Sequence, residues 1–400
     1  MHPADEIRGV KSKKLLKKRI ILAVTGSIAA VETVKLAREL IRHGADVYPV
    51  MSPSATKIIH PDSLWFATGK KPIIELTGAT EHVSFCGRVE KPVDLLLICP
   101  CTSNTISKIA HGIDDTSVTT FATTAIGSGV KILVVPAMHI SMYDHKIVQK
   151  NIEKCKKMNI KFIEPFIEKN VAKMIEIDEI VAHVIREIGE KDFFKKRILI
   201  IGGPSAEKID DVRIITNISS GKTALSLAKN AFFRGADVEL WYGPGKEIIP
   251  NYIKKFDFES VNDLEKILRK RDLKKFDFII LCAALSDYLP KKHKGKISSK
   301  KEKFFLELFP APRIISMLRK KVPKSKIIGY KLEENRLKLK ENAMDLLKKN
   351  NLDYVVANLI HGFNLDKNEI WVFNENGEIF HKKEKKEELA DYILDIIKQK

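Results

Sequence analysis

This sequence of 400 residues has no long hydrophobic run. No apolar segment approaches the roughly 18 to 20 residues that a helix needs to span a bilayer. The N-terminal stretch up to Arg19 is rich in lysine but has no apolar core of the kind found in signal peptides. These absences argue against helical membrane proteins and predict a soluble protein of the cytoplasm with no membrane partner.

Cysteine is scarce, and the number of cysteines is odd. None pairs with another cysteine or a histidine at the spacing of a zinc site. A reducing compartment is therefore expected, a structural metal is not, and the sequence assigns no metal ligands. The cysteines are Cys86, Cys99, Cys101, Cys155 and Cys282.

Acidic residues are in deficit, because 51 Asp and Glu stand against 70 Lys and Arg, a formal net charge of +19. Such a charge would suit nucleic acid, since phosphate neutralisation depends on Lys and Arg. The lysines are spread along the chain in helix-like stretches such as Lys338 to Lys349, without a nucleic-acid motif or an aromatic stacking ladder. Several anionic small ligands, or simply a lysine-rich solvated surface, would explain the charge, and nucleic acid is not expected.

Short apolar strands alternate with helical patterns, and the series runs through the chain twice. This alternation is typical of βαβ units and predicts an α/β fold of two tandem, doubly wound, Rossmann-like parallel sheets. We place a basic leader at 1–18, a first domain at 19–190 and a second at 191–400, with a closing hairpin at Glu375, Asn376 and Gly377. The strands are RIILAVT, ADVYPVMS, DLLLICP, KILVVPA and IKFIEP, then RILIIGG, ADVELWYG, FDFIILCAA, KIIGYKL and DYVVANL.

The loop after the first strand, TGSIAA at 25–30, predicts a phosphate site. Its small residues bring backbone N–H groups and a helix N-terminus to one point. It is not a GxGxxG loop, and similar turns occur in unrelated α/β proteins. PCTSNT at 100–105 and PAMHISM at 136–142 also follow strands, at the edge where open parallel sheets bind ligands. His82 is a candidate general base, although a lone histidine is more often structural.

These segments resemble the flavoprotein family of cysteine decarboxylases, whose usual motifs read GSIAA, GHIxL, PASANT and PAMNxxM. Here GSIAA, EHVSF, PCTSNT and PAMHISM stand in that order between about Arg19 and Ile188. The resemblance implies a flavodoxin-like first domain, a trimer with the site between subunits, and His82 as the base of a flavin-dependent decarboxylation. It also implies that FMN is bound by Gly26, Ser27, Ser54, Thr102, Ser103, Asn104 and Ala137.

Two departures from this family concern the substrate end of the site. His139 stands where the family usually has a substrate-clamping Asn, so His139 and Met142 are the expected substrate contacts. The flap region, Glu168 to Met174, is short and lacks the cysteine that resembling enzymes use in the final reduction. We interpret Cys155, on a lysine-rich helical stretch, as a structural thiol and not as its replacement.

In the second half, Ser219-Ser220-Gly221-Lys222-Thr223 resembles the end of a Walker A loop. A P-loop needs glycine where Thr216 stands, and it must leave the first strand directly, whereas RILIIGG ends more than ten residues earlier. A P-loop NTPase is therefore not expected. Hydroxyls, a lysine and a helix that begins near Thr223 still predict an anion site.

The segment GGPSAEKIDDVRIITNISSGKTA resembles the signature of phosphopantothenate–cysteine ligases, usually GPTxExxDPVRxxSNxSSGKxG. CAALSDY, GKISSK and HGFNLDKNE match later segments of that family in order, down to Glu369. The resemblance implies Mg²⁺ with a nucleoside triphosphate, CTP in microbial members, and Asn217 as the residue that stabilises an acyl-nucleotide. The implied nucleotide-binding residues are Ser219, Ser220, Gly221, Lys222, Asp287, Lys296, Pro312, Arg313, Ile314, Ile315 and Tyr330.

The ligase segment also departs from its family. Asn350 stands at one of the usual lysine-rich positions, and Ala311-Pro312-Arg313 replaces the usual NPD of the nucleotide loop. We therefore expect rearranged nucleotide contacts, and CTP is preferred over ATP by resemblance alone.

Fusion of a decarboxylase to such a ligase is the arrangement of the bifunctional coenzyme A biosynthesis family. It implies ligation of 4'-phosphopantothenate to L-cysteine and then decarboxylation to 4'-phosphopantetheine, by a homo-oligomer that combines a trimeric first domain with a dimeric second domain. Two alternatives stay open: a flavoprotein of the same fold with a different decarboxylase or transferase substrate, and a non-catalytic flavin-binding regulatory protein.

Overall fold

A computed structural model of the chain describes residues 2–168, 171–298, 303–362 and 365–398. The chain divides into two compact units, Met1–Gly189 and Glu190–Lys400, called unit 1 and unit 2 below. Each has its own main sheet. In the part of the chain that is described, no helix is both long and apolar enough to cross a membrane.

Unit 1 begins with a short helix and then alternates strands with helices. Its strands are β1 (Arg19–Val24), β2 (Asp46–Met51), β3 (Leu95–Cys101), β4 (Ile132–Pro136), β5 (Met138–His139), β6 (Lys161–Phe162), β7 (Phe166–Glu168) and β8 (Val171–Lys173). Its helices are α1 (Pro3–Glu6), α2 (Thr33–Arg42), α3 (Pro61–Thr68), α4 (Glu81–Cys86), α5 (Ser103–His111), α6 (Ser117–Ser128), α7 (Ile140–Tyr143), α8 (Lys146–Lys157) and α9 (Ile177–Ile188), with 3₁₀ turns at Ile28–Glu32 and Ala55–Lys57.

The main sheet of unit 1 has the order β2-β1-β3-β4-β6, and every neighbouring pair is parallel. This order is that of the flavodoxin-like doubly wound fold, so the predicted fold of the first half is confirmed. Residues 20–24 and 95–101 are all buried, because helices cover both faces of a parallel sheet. One face packs against α5, α6 and α8, around the fully buried Phe121.

The basic leader packs on unit 1. Backbone N–H groups of Gly9, Lys11 and Leu15 donate to the last carbonyls of α2 and to His43, at 2.9–3.0 Å. The side chain of Leu15 is fully buried. The leader thus satisfies carbonyl groups that the end of a helix leaves without partners.

Unit 2 alternates strands and helices and ends in a hairpin and a helix. Its strands are β9 (Arg197–Gly202), β10 (Ala206–Lys208), β11 (Ile214–Thr216), β12 (Asp237–Tyr242), β13 (Lys254–Asp257), β14 (Phe278–Leu281), β15 (Tyr288–Pro290), β16 (Leu308–Pro310), β17 (Lys326–Glu333), β18 (Tyr354–Leu359), β19 (Lys367–Asn374) and β20 (Gly377–Lys385). Its helices are α10 (Lys222–Phe233), α11 (Val261–Lys270), α12 (Ile314–Lys321), α13 (Arg336–Asn350) and α14 (Lys386–Lys398), with a 3₁₀ turn at Ile360–Gly362.

The main sheet of unit 2 has the order β13-β12-β9-β14-β17-β18-β19-β20. From β13 to β18 neighbouring pairs are parallel, and along the chain these strands follow the Rossmann order 3-2-1-4-5-6. The predicted Rossmann-like fold is confirmed, and so is the hairpin, since β19 and β20 pair antiparallel through a turn at Asn374–Gly377. One face of the sheet packs on α11, α12 and α13.

Candidate active sites

Hydrogen bonds tie together the loops that leave the carboxyl ends of β1, β3 and β4 in unit 1. The Thr25 hydroxyl donates to the carbonyl of Pro100 at 2.8 Å and accepts from the N–H of Thr102 at 3.1 Å. The N–H of Ala137 donates to the carbonyl of Cys101 at 3.0 Å. The predicted loops at 25–30, 100–105 and 136–142 therefore form one continuous surface, and Thr25, which the sequence did not single out, is its central connection.

The loops after β1 and β2 also meet. A Cβ atom added to Gly26 would lie 2.5 Å from the Cβ of Ser54, so the two loops can approach this closely only because position 26 has no side chain. Ser27 and Ser54 precede the two 3₁₀ turns of unit 1, and neither side chain caps its turn. Within the described residues these two hydroxyls have no hydrogen-bond partner, so they are available to an anion at the turn N-termini.

The predicted flavin-contacting residues lie at the start of α5. The Thr102 hydroxyl caps this helix by accepting from the N–H of Thr105. Ser103 is buried and Asn104 is exposed, and the side chains of both lack a hydrogen-bond partner in the described part of unit 1. Donors and acceptors with no internal partner at a helix N-terminus are suited to a polar ligand.

His82 lies in the first turn of α4 and is half-buried. Its Nδ1 is buried and has no hydrogen-bond partner among the described residues. A buried polar atom without a hydrogen-bond partner costs free energy, so such atoms are rare unless a ligand or water supplies the hydrogen bond. This feature distinguishes His82 from a histidine with a structural hydrogen bond.

His139 lies in β5, which pairs with β8, and β8 pairs with β7. The exposed imidazole accepts from the N–H of Ser141 through Nδ1 at 3.2 Å, which leaves the ring proton on Nε2. Met142, the other predicted substrate contact, is 47% exposed. Of the predicted flap, Glu168 to Met174, residues 169 and 170 lie outside the described residues.

Cys155 is fully buried on α8, and its thiol lies 3.9 Å from the carbonyl oxygen of Ile106. Burial raises the pKa of this thiol to about 11, which keeps it protonated and unreactive. The interpretation of Cys155 as a structural thiol agrees with this environment.

In unit 2, Tyr242 holds the predicted anion loop at 217–222 through a hydrogen bond to the loop backbone. The Tyr242 hydroxyl donates to the carbonyl of Ser220 at 2.8 Å, and the N–H of Lys246 donates to the same oxygen at 3.0 Å. Gly221 has φ = +83°, and an added Cβ would lie 2.0 Å from the Tyr242 hydroxyl oxygen. Glycine is required here by both backbone conformation and space, and α10 begins directly after it.

Asn217 lies just beyond β11 and is exposed. Its Nδ2 donates to the carbonyl of Ala284 at 2.9 Å, so the amide is held against the segment that follows β14. The N–H of Ala284 in turn donates to the carbonyl of Gly203 at 2.9 Å. The loops after β9, β11 and β14 therefore meet at the carboxyl edge of the sheet, where Rossmann-like folds bind nucleotides.

Some of the other predicted nucleotide-binding residues lie close together in the structure, and Lys296 has no contact in the described part of unit 2 that joins it to them. Asp287 and Arg313, both exposed, approach each other to 3.8 Å, and the N–H of Ala311 donates to the carbonyl of Asp287 at 2.9 Å. Pro312, Ile314 and Ile315 accompany Arg313 at the start of α12. Lys296 is exposed, and its side chain has no ion pair or hydrogen bond within the described residues.

Tyr330 lies on β17, the strand next to β14. Its hydroxyl is buried and has no partner within the described residues. Burial holds the pKa of this phenol well above its ordinary value, so the hydroxyl remains a donor.

Sequence reasoning missed Asp210, which holds the loop that carries Lys296. The buried Asp210 carboxylate accepts from the N–H groups of Val212, Arg213 and Ile297 at 2.7–3.1 Å and pairs with the Arg213 guanidinium. Burial alone would raise the pKa of this carboxyl, but these hydrogen bonds outweigh burial and hold it well below the usual range. The DDVR sequence contains the signal, since an Asp three residues before an Arg in a loop suits a local ion pair.

A second missed contact joins two motifs. The Lys222 ammonium forms a short ion pair with Asp366, which lies in the HGFNLDKNE segment. This contact raises the pKa of Lys222 and lowers that of Asp366. Phe363 and Asn364 of the same segment, and Ser299 and Lys300 of GKISSK, lie outside the described residues. Across the described ranges, no group of three or more His, Cys, Asp or Glu side chains could hold a metal ion.

These folds define a two-unit α/β protein with a flavodoxin-like unit followed by a Rossmann-like unit, each with candidate ligand-binding loops at the carboxyl edge of its sheet. Residues 9–189 match the Flavoprotein family, and residues 193–400 match the DNA/pantothenate metabolism flavoprotein C-terminal domain. The chain belongs to the family of coenzyme A biosynthesis bifunctional proteins CoaBC.

Similarity to this family extends over the whole chain. The relative from Thermococcus kodakarensis is 44% identical, and the match covers 100% of this chain and 99% of the relative. The relative from Methanocaldococcus jannaschii is 38% identical over 100% of this chain and 98% of its own length. A crystal structure of the C-terminal domain of a coenzyme A biosynthesis bifunctional protein CoaBC is 30% identical, with a TM-score of 0.45 over 52% of this chain and 97% of that one.

Proposed function

We propose that the chain catalyses two consecutive steps of coenzyme A biosynthesis. Unit 2 joins 4'-phosphopantothenate to L-cysteine with CTP and Mg²⁺ through an acyl-cytidylate, and unit 1 decarboxylates the product to 4'-phosphopantetheine with FMN. The observation that carries the proposal is membership of the bifunctional family over the full chain, with both motif sets at the ligand-binding edges of their own sheets.

The loops of unit 1 fit FMN. Gly26 lets the loop after β1 approach Ser54 closely, and the hydroxyls of Ser27 and Ser54 are free to bind a phosphate at two turn N-termini. Thr102, Ser103, Asn104 and Ala137 would contact the rest of the cofactor. When bound, FMN supplies the oxidation of the substrate thiol and the later return of electrons.

His82 is the proposed base for the thiol proton. Its buried Nδ1, which lacks a protein partner, is the atom that we assign to this proton transfer. His139 and Met142 are assigned to the substrate, with the Nε2–H of His139 as a hydrogen-bond donor.

Asn217 is the proposed stabiliser of the acyl-cytidylate in unit 2. An amide nitrogen carries two N–H donors, and the contact with Ala284 uses one, which leaves the other for the intermediate. Ser219, Ser220, Gly221 and Lys222 bind phosphate, and the remaining predicted residues, Asp287, Lys296, Pro312–Ile315 and Tyr330, bind the nucleotide. Mg²⁺ would be held mainly by the nucleotide phosphates, which suits the absence of a carboxylate cluster in the described residues.

The proposal also covers assembly and location. A trimeric unit 1 and a dimeric unit 2 would together give a closed homo-oligomer, which a mass from light scattering would test. A reducing cytoplasm suits the free thiols of all five cysteines.

The test uses the purified full chain. It should be yellow and release FMN, and with CTP, Mg²⁺, cysteine and 4'-phosphopantothenate it should form pyrophosphate and CO₂. His82→Asn should stop CO₂ release but leave pyrophosphate release intact, whereas His111→Asn, at an exposed histidine of α5, should change neither. A colourless protein that forms neither product would contradict the proposal, and CO₂ release by His82→Asn would contradict the assignment of the base.

A further inference from the structure

Lys386 is a buried lysine that no motif or assigned role explains. It is the first residue of α14, and only 7% of its surface is exposed. Its backbone N–H donates to the carbonyl of Asp366 at 2.9 Å, but within the described residues its ammonium has no hydrogen bond or ion pair. Lysine residues this deeply buried are rare unless they are paired, so the ammonium at the tip of the side chain is suited to a partner of opposite charge.

The surroundings of Lys386 make its charge more costly still. It stands at the N-terminus of a 13-residue helix, where the helix dipole repels cations. Helix side chains point toward the N-terminus, so its ammonium extends beyond the start of α14. Burial and the nearby charge of Lys222 both lower its pKa, and Asp366 and Glu247 offset this only in part.

The ammonium of Lys386 belongs to the same local group as the anion loop. Asp366 joins the two lysines, because its carboxylate pairs with the Lys222 side chain while its carbonyl accepts from the Lys386 backbone. Lys222 begins α10, and the Ser220 carbonyl just before it is held by Tyr242 and Lys246. Lys222, Lys386 and the N-terminus of α10 therefore lie near one another, with Asp366 paired to Lys222 and the carboxylate of Glu247 also near both lysines.

We propose that Lys386 binds a phosphoryl group of the ligase substrates, together with Lys222 and the backbone N–H groups at the start of α10. The inference deepens the proposed function and rests on it. A phosphoryl dianion would supply the partner that the Lys386 ammonium lacks and would offset the repulsion between the two lysines. The group comes either from the triphosphate of CTP or from the phosphate monoester of 4'-phosphopantothenate.

The test measures binding without turnover, using full-length protein and calorimetry. Lys386→Met keeps the length of the side chain and removes the charge, and the matched control is Lys385→Met, at the exposed neighbouring lysine. We expect Lys386→Met to weaken the binding of CTP or of 4'-phosphopantothenate by about tenfold or more, as for loss of one charged hydrogen bond. The probe that weakens identifies the source of the phosphoryl group, and pantothenate without its phosphate should bind Lys386→Met as it binds the wild type.

Thermal unfolding separates this role from a structural one. Without ligand, Lys386→Met should melt at or above the temperature of the wild type, because burial of the residue disfavours the charged form, while its stabilisation by pyrophosphate should be reduced. Equal binding of both probes by Lys386→Met and wild type, or an equal loss in Lys385→Met, would overturn the proposal. A wild-type protein that binds neither probe would contradict the proposed function instead.

A second measurement needs no variant. Pyrophosphate should protect Lys386 of the wild-type protein from reductive methylation, followed by peptide mass spectrometry, and should leave Lys385 reactive. Methylation of Lys386 at the same rate with and without pyrophosphate would contradict the assignment, even if Lys386→Met did not fold.

Discussion

Gly221 shows how much of the candidate ligase site depends on the absence of a side chain. Its φ of +83° is unfavourable for other residues, and a Cβ would lie 2.0 Å from the Tyr242 hydroxyl oxygen. We expect Gly221→Ala to displace the Ser220 carbonyl, to raise KM for CTP at least about tenfold and to destabilise unit 2 by roughly 1–3 kcal/mol. Pyrophosphate release as a function of CTP concentration measures the first effect, and thermal unfolding measures the second.

The control for this glycine is Gly377→Ala. Gly377 also has positive φ, +110°, but an added Cβ meets no atom within 4 Å. It should therefore show the cost of the backbone conformation without the collision. If both variants kept the wild-type KM for CTP, the loop at 217–222 would not bind the nucleotide.

His139 leads to a prediction for unit 1. Because the N–H of Ser141 holds Nδ1, the ring presents Nε2–H as a donor in a fixed orientation. We expect His139→Ala to raise KM for decarboxylation of 4'-phosphopantothenoylcysteine by about tenfold, the loss of one hydrogen bond to a charged group, with pyrophosphate release unchanged. His139→Asn, the residue usual in the resembling decarboxylases, should recover part of this loss, and an unchanged KM in His139→Ala would remove His139 from the substrate site.

At the scale of elements, Asp210 joins two loops that are distant in sequence. Its carboxylate accepts from the N–H groups of Val212 and Arg213, within the β10–β11 connection, and from that of Ile297, next to Lys296. We expect Asp210→Asn to destabilise unit 2 by about 3 kcal/mol, the usual cost of breaking a buried pair, and to raise KM for CTP because the Lys296 loop loses its anchor. Asp211→Asn, at the exposed neighbour that pairs with Lys292, should cost less than about 1 kcal/mol.

The lowered pKa of Asp210 also predicts how the stability of unit 2 depends on pH in acid. A carboxylate with a depressed folded-state pKa contributes stability that is present above its unfolded value of about 3.9 and is lost as pH falls toward the folded value. The stability difference between wild type and Asp210→Asn should therefore shrink below about pH 4. A difference that stayed constant in acid titrations of unfolding would show that the carboxylate charge does not contribute.

Elements with strong periodic patterns could be predicted from the sequence, and elements that depend on distant partners could not. Continuous apolar runs such as 20–24 predict central parallel strands, because both faces are buried. The edge strand Lys254–Asp257, with the sequence KKFD, has no such pattern and was missed, as were the short ribbons at the sheet edges. Their positions depend on pairing with residues far along the chain.

The candidate sites also contain residues that local sequence predicts and contacts that it does not. Glycines and hydroxyl residues in loops after strands predict where a ligand could bind, so Gly26 and Gly221 could be proposed as site residues from local sequence. Contacts such as Lys222 with Asp366 join residues 144 positions apart, and a single sequence contains no signal for them. The burial of Lys386 was invisible for a related reason, since it lies in the run of charged residues KKEKKEE.

For the whole molecule, the excess of 19 positive charges fits the three anionic small molecules of the proposed function, FMN, CTP and 4'-phosphopantothenate. It requires no nucleic acid, and it implies that substrate affinity declines with rising salt.

The two units should also respond to acid in different pH ranges. In unit 1, burial and the nearby Arg186 lower the pKa of His183 to about 4, below its ordinary value of about 6.5. The unfolded state thus binds the proton more readily, and unit 1 should lose stability as pH falls from about 6.5 toward 4. In unit 2, burial alone would raise the pKa of Asp192. The hydrogen bonds from Arg234 and Lys398 outweigh burial and lower this pKa to about 2.

The Asp192 contribution therefore persists at pH values where that of His183 is already lost, since it declines only between about 3.9 and 2. We expect FMN fluorescence, a signal of unit 1, to report unfolding at a higher pH than the fluorescence of the buried Trp241 and Trp371 of unit 2. His183→Gln should make unit 1 less sensitive to acid between pH 6.5 and 4 without altering the tryptophan transition. Asp192→Asn should instead destabilise unit 2 at neutral pH, and coincident transitions that neither substitution separates would show that these two groups do not govern acid unfolding.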